Sequence, residues 1–389
     1  MQARVDHQPI EHLYLHVPFC SALCHYCDFA KTANFTTALT SSYFKRLVEH
    51  LELWCAAFPI SLRTLYIGGG TPSLFNHAYR QIFASIAPYL RADCEITLEA
   101  NPQDISKANL LHWQELGVNR LSIGVQTFAP ASLRFLQRQH SAKQSFTALE
   151  SVAEHFAGSC SVDLIYGMQS VVEWQRDLHN VCRFPLQHIS CYSLTYEPRT
   201  PLGRAAARGK IDVGSDAFVA DMYCQAVETL ASTGYEHYEI SNWGKRRSQH
   251  NLCYWQDKSY IGVGSGAHGY LADPVSIGQR YAYTTSERKF IRLVIDSALP
   301  LKLKAISIDQ RDASGWLLEY LATGLRCVEG VNLDRIATKA RRHWQPTETV
   351  RKAINAKQLL ISRNKRLHLA SSEWLREQRW VMEVLRCFV

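Results

Sequence analysis

The chain has 389 residues, a formal net charge of +8 and twelve cysteines. This length favours one large domain with a smaller appendage, and no apolar stretch is long enough to span a bilayer. Because the cysteines are too sparse for a disulfide scaffold and the N-terminus lacks the apolar run of a secretory signal, we expect a cytoplasmic protein.

Basic residues are concentrated toward the C-terminus, between Arg335 and Arg366. Such a stretch is usually a solvated face, and its alternative role is a contact surface for a partner or for the inner face of a membrane. Nucleic acid is not expected as a partner.

Short apolar runs alternate with amphipathic helical patterns up to about residue 235. Strands are predicted at Leu13 to Val17, Thr64 to Ile67, Glu95 to Leu98, Arg120 to Ile123, Val162 to Ile165 and Ile189 to Leu194. Helices between them are predicted at Tyr43 to Phe58, Tyr79 to Leu90, Lys107 to Leu116 and Thr147 to Phe156. Repeated βα units predict a parallel sheet, so the expected fold is α/β with a partial (βα)6 parallel barrel.

Polar or glycine-rich segments follow the predicted strands. The first strand leads into a group of cysteines, the second into Gly68 to Pro72, and the third ends at Glu99. In βα barrels the chemistry lies at the carboxyl ends of the strands, so these segments are expected to meet on one rim.

The periodic pattern changes after the barrel, which we place at residues 1–240. Residues 241–300 are rich in glycine and aromatic residues, and we expect a long functional loop or extra strands there. Residues 301–389 are predicted to form a small helical domain, and a winged helix is one arrangement that fits the pattern. Its helices are expected at Ala313 to Thr323, Leu333 to His343 and Thr347 to Lys357, with a hairpin formed by Leu359 to Ile361 and Leu367 to Leu369.

Three of the cysteines, Cys20, Cys24 and Cys27, follow the first strand with the spacing CxxxCxxC. Three thiolates on one short loop can hold a [4Fe-4S] cluster and leave its fourth iron open to a ligand. A structural zinc ion is the alternative, but zinc prefers four closed ligands, and no second cysteine pair is visible. The spacing therefore favours the cluster.

This motif, with Tyr26 before the last cysteine, resembles the signature of the radical S-adenosylmethionine (radical SAM) superfamily. The resemblance implies that the open iron binds the amino and carboxylate groups of S-adenosylmethionine. It also implies that one-electron reduction can cleave the bond between C5′ and sulfur. The loop Gly68 to Pro72 resembles the segment that meets the methionyl amino group, and glycine permits such close backbone approach.

Within that superfamily the chain resembles the oxygen-independent coproporphyrinogen III oxidase family with its HemW-like heme chaperones. The similar segments are Tyr14 to Cys20, Gly68 to Ser73, Glu99 to Pro102, Gly124 to Gln126, Asp163 to Gly167 and His250 to Trp255. The resemblance implies that S-adenosylmethionine is contacted by Tyr14, Tyr26, Gly70, Thr71, Glu99, Gln126, Arg138 and Asp163. It covers most of the chain before about residue 270, and the C-terminal part carries no matching motif.

Two features separate the branches of this family. The oxidases carry a further cysteine two residues after the third cluster ligand, where this chain has Phe29, and the chaperones carry an HNxxYW segment, which His250 to Trp255 satisfies. Both features favour the chaperone branch. Met168 to Ser170 replace a Leu-Pro-Gly turn that is frequent in the family, which leaves the local loop geometry open.

His250 is the candidate ligand for heme iron, with Tyr254 and Trp255 as aromatic walls for the porphyrin. A lone histidine is more often a hydrogen-bonded structural residue, and Cys253 is a rival ligand. The later segment Gly262 to Gly269 loosely resembles a dinucleotide fingerprint, but it opens no βαβ unit and is expected to form a wall near the ligand pocket.

The sequence thus predicts a heme chaperone that carries a [4Fe-4S] cluster and S-adenosylmethionine and delivers heme to acceptor hemoproteins. Membrane respiratory enzymes are candidate acceptors, and a homodimer is a candidate assembly. The alternative is an oxidase that decarboxylates two propionates of coproporphyrinogen III. A radical enzyme with an unidentified substrate is a third hypothesis.

Overall fold

The computed structural model describes residues 8–293, 295, 300–303, 306–309 and 311–389. Its strands are β1 (Ile10–Val17), β2 (Ile60–Gly69), β3 (Leu90–Ala100), β4 (Arg120–Gln126), β5 (Ser159–Tyr166), β6 (His188–Ser193), β7 (Glu236–Glu239), β8 (Asn242–Gly244), β9 (Ile261–Val263), β10 (His268–Leu271), β11 (Gln279–Tyr283), β12 (Ile306–Ile308), β13 (Val331–Asn332), β14 (Leu359–Ile361) and β15 (Arg366–Leu369). Its helices are α1 (Thr37–Ala57), α2 (Tyr79–Ile86), α3 (Lys107–Glu115), α4 (Pro130–Phe135), α5 (Ala142–His155), α6 (Val171–Cys182), α7 (Pro201–Ala207), α8 (Asp216–Ser232), α9 (Gln249–Trp255), α10 (Glu287–Arg292), α11 (Ala313–Gly324), α12 (Leu333–Ala340), α13 (Glu348–Asn355) and α14 (Glu377–Leu385).

The main sheet contains six consecutive parallel strands. Its order is β7-β8-β6-β5-β4-β3-β2-β1-β9, with β9 parallel to β1 and β8 antiparallel to β6. The predicted α/β class and the six predicted strands are confirmed, each with a helix before the next strand. Within the described ranges, no helix combines the length and the apolar character needed to cross a bilayer.

The two faces of the parallel sheet differ in polarity. On β1, Leu13, Leu15 and Val17 are buried against the helices, where Trp54 and Trp113 complete the hydrophobic core. The other face carries mainly polar side chains, and the register aligns Tyr14 of β1 with Tyr66, Tyr66 with Thr97, and Thr97 with Arg120. Because side chains alternate along a strand, this polar face forms a continuous inner wall.

The described part of residues 241–300 contains the extra strands β8 to β11 and two helices, α9 and α10, which the sequence pattern did not predict. The side chain of Ser248 caps α9 by accepting a hydrogen bond from the backbone N–H of Asn251. The Glu95 carboxylate accepts hydrogen bonds from the backbone N–H groups of Gln249 and His250, at 3.3 and 3.1 Å. This helix has only seven residues, which is too short to leave a clear periodic pattern in the sequence. It is held by Glu95, which lies 154 positions before Gln249 in the chain.

The C-terminal region has the element order α11, β13, α12, α13, β14, β15, which is the order of a winged helix. The predicted hairpin is confirmed, because β14 pairs antiparallel with β15, and β13 pairs with the other edge of β15. Helix α12 ends at Ala340 rather than at His343, because Arg341 adopts a left-handed conformation with φ of 53°. A separate hydrophobic cluster includes Trp316 and Trp380. The domain boundaries stay a prediction.

Asp257, just after α9, links the end of this helix to the C-terminal helices. Its carboxylate accepts hydrogen bonds from Arg335 Nε and Lys339 Nζ, both at 2.9 Å. The guanidinium of Arg326 lies 4.1 Å from the ring centre of Trp255, the last residue of α9. Helix α9 therefore packs between the parallel sheet and the C-terminal region.

Candidate functional site

A cavity of about 630 Å³ lies at the carboxyl ends of the parallel strands. The polar segments that follow β1, β2, β3 and β4 all contribute to its wall, as do residues of β5 and β6. Its lining includes Cys20, Cys24, Cys27, Tyr26, Phe29, Tyr66, Gly70, Thr71, Glu99, Asn101, Arg120, Gln126, Arg138, Asp163, Ser190 and Tyr192. The structure therefore brings together segments that are far apart in the sequence.

The three motif cysteines share this cavity wall. The Cys20 backbone N–H donates to the Thr32 carbonyl at 2.9 Å, and Thr32 N–H donates to Pro18 at 2.8 Å, which ties the loop back on itself. Burial raises the pKa of the Cys20 thiol to about 11, so this thiol is protonated at pH 7 in the metal-free protein. A bound metal deprotonates its thiol ligands, so this buried group suits a metal centre better than a free thiolate.

Gly70 packs directly against the first cysteine. A Cβ atom at this position would lie 2.9 Å from Cys20 Sγ and 2.6 Å from the Phe19 carbonyl oxygen. The adjacent Gly69 has a φ of 118° and donates its N–H to Glu99 Oε2 at 2.9 Å. The GGGTP segment therefore needs glycine both for close contact and for backbone conformation.

Arg138 places a positive charge beside the cysteines. Its Nη1 lies 3.5 Å from Cys24 Sγ, and its Nη2 donates to the Gly124 carbonyl at 2.9 Å and to Asn101 Oδ1. A guanidinium in this position can stabilise a thiolate and can bind a carboxylate of a ligand.

Two carboxylates lie deeper in the cavity. Glu99 accepts hydrogen bonds from Tyr66 Oη at 2.8 Å and from Gly69, yet burial raises its pKa to about 7. Burial also raises the pKa of Asp163, although Ser122 Oγ lies 3.2 Å from its Oδ2. These carboxyl groups can accept hydrogen bonds from the hydroxyl groups of a ligand.

The residues present fit a [4Fe-4S] cluster and S-adenosylmethionine. Three cysteine ligands face the cavity beside a cation. Within the described part of the chain, Gln103 Oε1, Arg120 Nη1 and Arg138 Nε are buried without a hydrogen-bond partner, and all three residues line this cavity. Unpaired buried donors and acceptors beside a cavity favour a polar ligand with both acceptor and donor groups.

Most residues predicted to contact S-adenosylmethionine lie in this wall: Tyr26, Gly70, Thr71, Glu99, Gln126, Arg138 and Asp163. Tyr14 is placed differently. Among the described residues it does not line the cavity, because its ring stacks on Tyr66 at 6.0 Å and its hydroxyl bonds His16 Nδ1 at 2.9 Å. Tyr14 therefore lies one layer behind the wall, where it supports Tyr66.

Sequence reasoning missed several residues of the wall, among them Tyr66, Arg120 and Tyr192. Burial opposes the charge on Arg120, but Glu95 and other nearby groups raise its pKa, so it stays cationic inside the sheet. The alternation of side chains along β2 and β6 was the available signal, because Tyr66 lies two residues before Gly68 and Tyr192 lies two residues after Ser190.

His250 is fully built into the inner wall. It is 1% exposed, and its ring nitrogens lie 2.6 Å from Thr64 Oγ1 and 2.7 Å from Tyr254 Oη. Its ring also stacks on Tyr66 with centroids 5.0 Å apart. The ring is enclosed, so a porphyrin has no access to it in this conformation, and heme-iron binding by His250 stays a prediction. The rival ligand Cys253 is also fully buried.

The glycine-rich segment Gly262 to Gly269 does not form the expected wall of the cavity. Its first part is β9, which pairs with the inner strand β1. A Cβ atom at Gly264 would lie 2.5 Å from the His16 carbonyl oxygen and 2.8 Å from Tyr43 Oη. The glycines here permit close packing at the sheet edge.

Comparison with known proteins agrees with this site. Residues 14–180 match the model of the Radical SAM superfamily. The chain is 33% identical over 366 residues to the heme chaperone HemW of Lactococcus lactis subsp. lactis (strain IL1403), covering 92% of both chains. It is 35% identical over 288 residues to the heme chaperone HemW of Escherichia coli (strain K12), covering 72% of this chain and 75% of the relative.

A solved structure shares the fold. Coproporphyrinogen III oxidase (HemN) from Escherichia coli, a radical SAM enzyme, superposes with a TM-score of 0.76 and 19% identity, covering 99% of this chain and 91% of the other. The fold and the three-cysteine cavity therefore define a radical SAM protein. With the sequence identities above, the chain belongs to the HemW family.

Proposed function

We propose that this protein binds heme and delivers it to acceptor hemoproteins, while its cavity holds a [4Fe-4S] cluster and S-adenosylmethionine. The observation that carries the proposal is the residue two places after the third cysteine. Phe29, which replaces the extra cysteine of the oxidases, is 68% exposed at the cavity wall and offers an apolar ring to a ligand. The relatives named heme chaperones support the same function.

The cavity residues have distinct roles in this proposal. Cys20, Cys24 and Cys27 would hold the cluster, and Arg138 would bind the carboxylate of S-adenosylmethionine. Glu99 would accept hydrogen bonds from ligand hydroxyl groups. When bound, the cluster and S-adenosylmethionine would supply one-electron chemistry. In the proposed function they would regulate the transfer of heme or the oligomeric state of the protein.

Heme would dock at the mouth of the cavity. Phe29 and Tyr192 are both exposed there, at 68% and 40%, and a porphyrin needs such apolar surface. Arg199, which pairs with Asp28 at 2.7 Å, has a mostly exposed side chain that can reach a propionate. His250 lies behind Tyr66, away from this mouth.

Heme titration of the cluster-loaded protein under anaerobic conditions tests this proposal. We expect a Soret change for the wild type and about tenfold or more weaker binding for Phe29→Asp, because burying a phenylalanine ring contributes about 1.5–3 kcal/mol. Leu375→Asp is the matched control, since Leu375 is 50% exposed in the C-terminal region. We expect His250→Ala to bind heme as the wild type does. Equal heme binding by wild type and Phe29→Asp would contradict docking at the mouth.

Delivery is tested by mixing the heme-loaded protein with an apo-hemoprotein and following the Soret band of the product. A membrane respiratory enzyme is a candidate acceptor, and a homodimer formed on heme binding is measurable by gel filtration. The oxidase alternative is tested by incubating the cluster-loaded protein with coproporphyrinogen III, S-adenosylmethionine and a reductant. Formation of protoporphyrinogen IX would contradict a function limited to heme delivery.

A further inference from the structure

A second group of side chains that can bind a metal lies between β1 and α9, away from the cluster motif. His12, His250 and Cys253 are all buried, and one ligand atom from each lies within 4.8 Å of the others. His12 is near the amino end of β1, whereas Cys20 follows its carboxyl end. Among the described residues, neither His12 nor Cys253 lines the large cavity.

His12 is oriented as metal-binding histidines are. Its Nδ1 lies 2.9 Å from Thr64 Oγ1, while its Nε2 is buried without a hydrogen-bond partner in the described part of the chain. If Nδ1 donates its hydrogen to Thr64, Nε2 carries a free lone pair, and such support of the opposite nitrogen is typical of metal ligands.

We propose that His12, His250 and Cys253 bind a zinc ion. Two imidazoles and one thiolate bind zinc in preference to harder divalent ions, and a water molecule would complete the four ligands that zinc prefers. On binding, the Cys253 thiol would lose its proton to solvent, and His250 would exchange its bond to Thr64 for the metal.

Two negative groups would face an ion in this position. Cys253 is 0% exposed, so a bound cation would have to offset the charge of its thiolate. The Glu95 carboxylate lies beside the group, because it accepts a hydrogen bond from the backbone N–H of His250 at 3.1 Å. Arg120, which is buried near Glu95, and Lys258, which lies near Cys253, are cations that offset part of this negative charge. The ion would then fix α9 to β1.

Metal analysis of cluster-loaded protein tests the proposal. The protein is incubated anaerobically with one equivalent of zinc chloride and desalted, and zinc and iron are measured together. We expect about one zinc per chain in the wild type and about tenfold less in Cys253→Ser and His12→Gln, with unchanged iron. Cys160→Ser is the matched control, because Cys160 is 3% exposed on the opposite face of β5; it should keep its zinc.

Equal zinc in the wild type and in both site variants would overturn the proposal, as would no zinc in the wild type. X-ray absorption at the zinc edge of the wild type keeps the test valid if a variant fails to fold. We expect one sulfur at about 2.3 Å and nitrogen ligands at about 2.0 Å. A shell with three sulfurs would place the zinc on the cluster cysteines, and a shell without sulfur would exclude Cys253; either result contradicts the site.

Discussion

The hydroxyl of Thr64 lies 2.6 Å from His250 Nδ1 and 2.9 Å from His12 Nδ1. One buried side chain of β2 therefore joins a histidine of β1 to a histidine of α9. Thr64 is 0% exposed, so water cannot replace either bond.

Removing this hydroxyl should destabilise the fold. We expect Thr64→Val to lower the free energy of unfolding by about 1–3 kcal/mol, because two buried imidazole nitrogens lose their partner. Urea unfolding of the cofactor-free protein measures this. Thr97→Val is the control on the same inner face, since Thr97 Oγ1 is buried without a partner among the described residues, and its loss should be neutral or stabilising. Equal effects of the two substitutions would refute the role of the Thr64 hydroxyl.

Gly70→Ala should impair cluster binding. The added Cβ would lie 2.9 Å from Cys20 Sγ and 2.6 Å from the Phe19 carbonyl oxygen, so the cysteine loop must shift. Overpacking of this kind costs about 1–3 kcal/mol, and we expect iron affinity to fall by about tenfold. Iron content and visible absorbance after reconstitution measure the loss. Gly315→Ala in α11 is the control, because its nearest contact would be 3.4 Å, and it should bind iron normally.

Glu99 should make stability depend on pH. Its folded pKa is raised from 4.5 to about 7 by burial, so the protonated form stabilises the fold. This contribution is complete below pH 4.5 and is lost as the pH rises to about 7, where the buried charge costs about 2–3 kcal/mol.

We therefore expect the cofactor-free wild type to lose stability relative to Glu99→Gln between these pH values, as measured by urea unfolding. Glu348→Gln, which changes an exposed carboxylate of α13, should follow the wild type. Parallel curves for wild type and Glu99→Gln would show that folding does not raise the pKa of Glu99.

Asp257→Asn should weaken the junction between α9 and the C-terminal helices. The side chain of Lys339 is 0% exposed and its ammonium lies 2.9 Å from Asp257 Oδ2, so the substitution leaves a buried charge unpaired. We expect a loss of about 3–5 kcal/mol in the free energy of unfolding.

Tryptophan fluorescence during urea unfolding measures this loss. Asp334→Asn is the matched control, because Asp334 and Lys365 form an ion pair 3.0 Å apart whose side chains are 64% and 66% exposed. Such an exposed pair contributes about 1 kcal/mol or less. A similar small loss for Asp257→Asn would contradict the buried ion pair.

Local patterns in the sequence determined the cluster motif, the six parallel strands and the C-terminal hairpin. Cys20, Cys24 and Cys27 fall within eight residues, so chain geometry alone brings them to one loop. The apolar runs of β1 to β6 reveal the strands because each strand buries a face against helices. The carboxyl ends of parallel strands share one edge, which is why Glu99 and Asp163 could be expected near the cysteines.

Only the tertiary structure decided which polar side chains reach the cavity and which are enclosed. The bond between Thr64 and His250 joins residues 186 positions apart, and the bond of Glu95 to α9 spans 155. Such contacts depend on strand register and on the path of the chain, which leave no local pattern. The HNxxYW segment made His250 a candidate heme ligand, and only the tertiary structure shows that its ring is enclosed beside β2 and bonded to Thr64 and Tyr254.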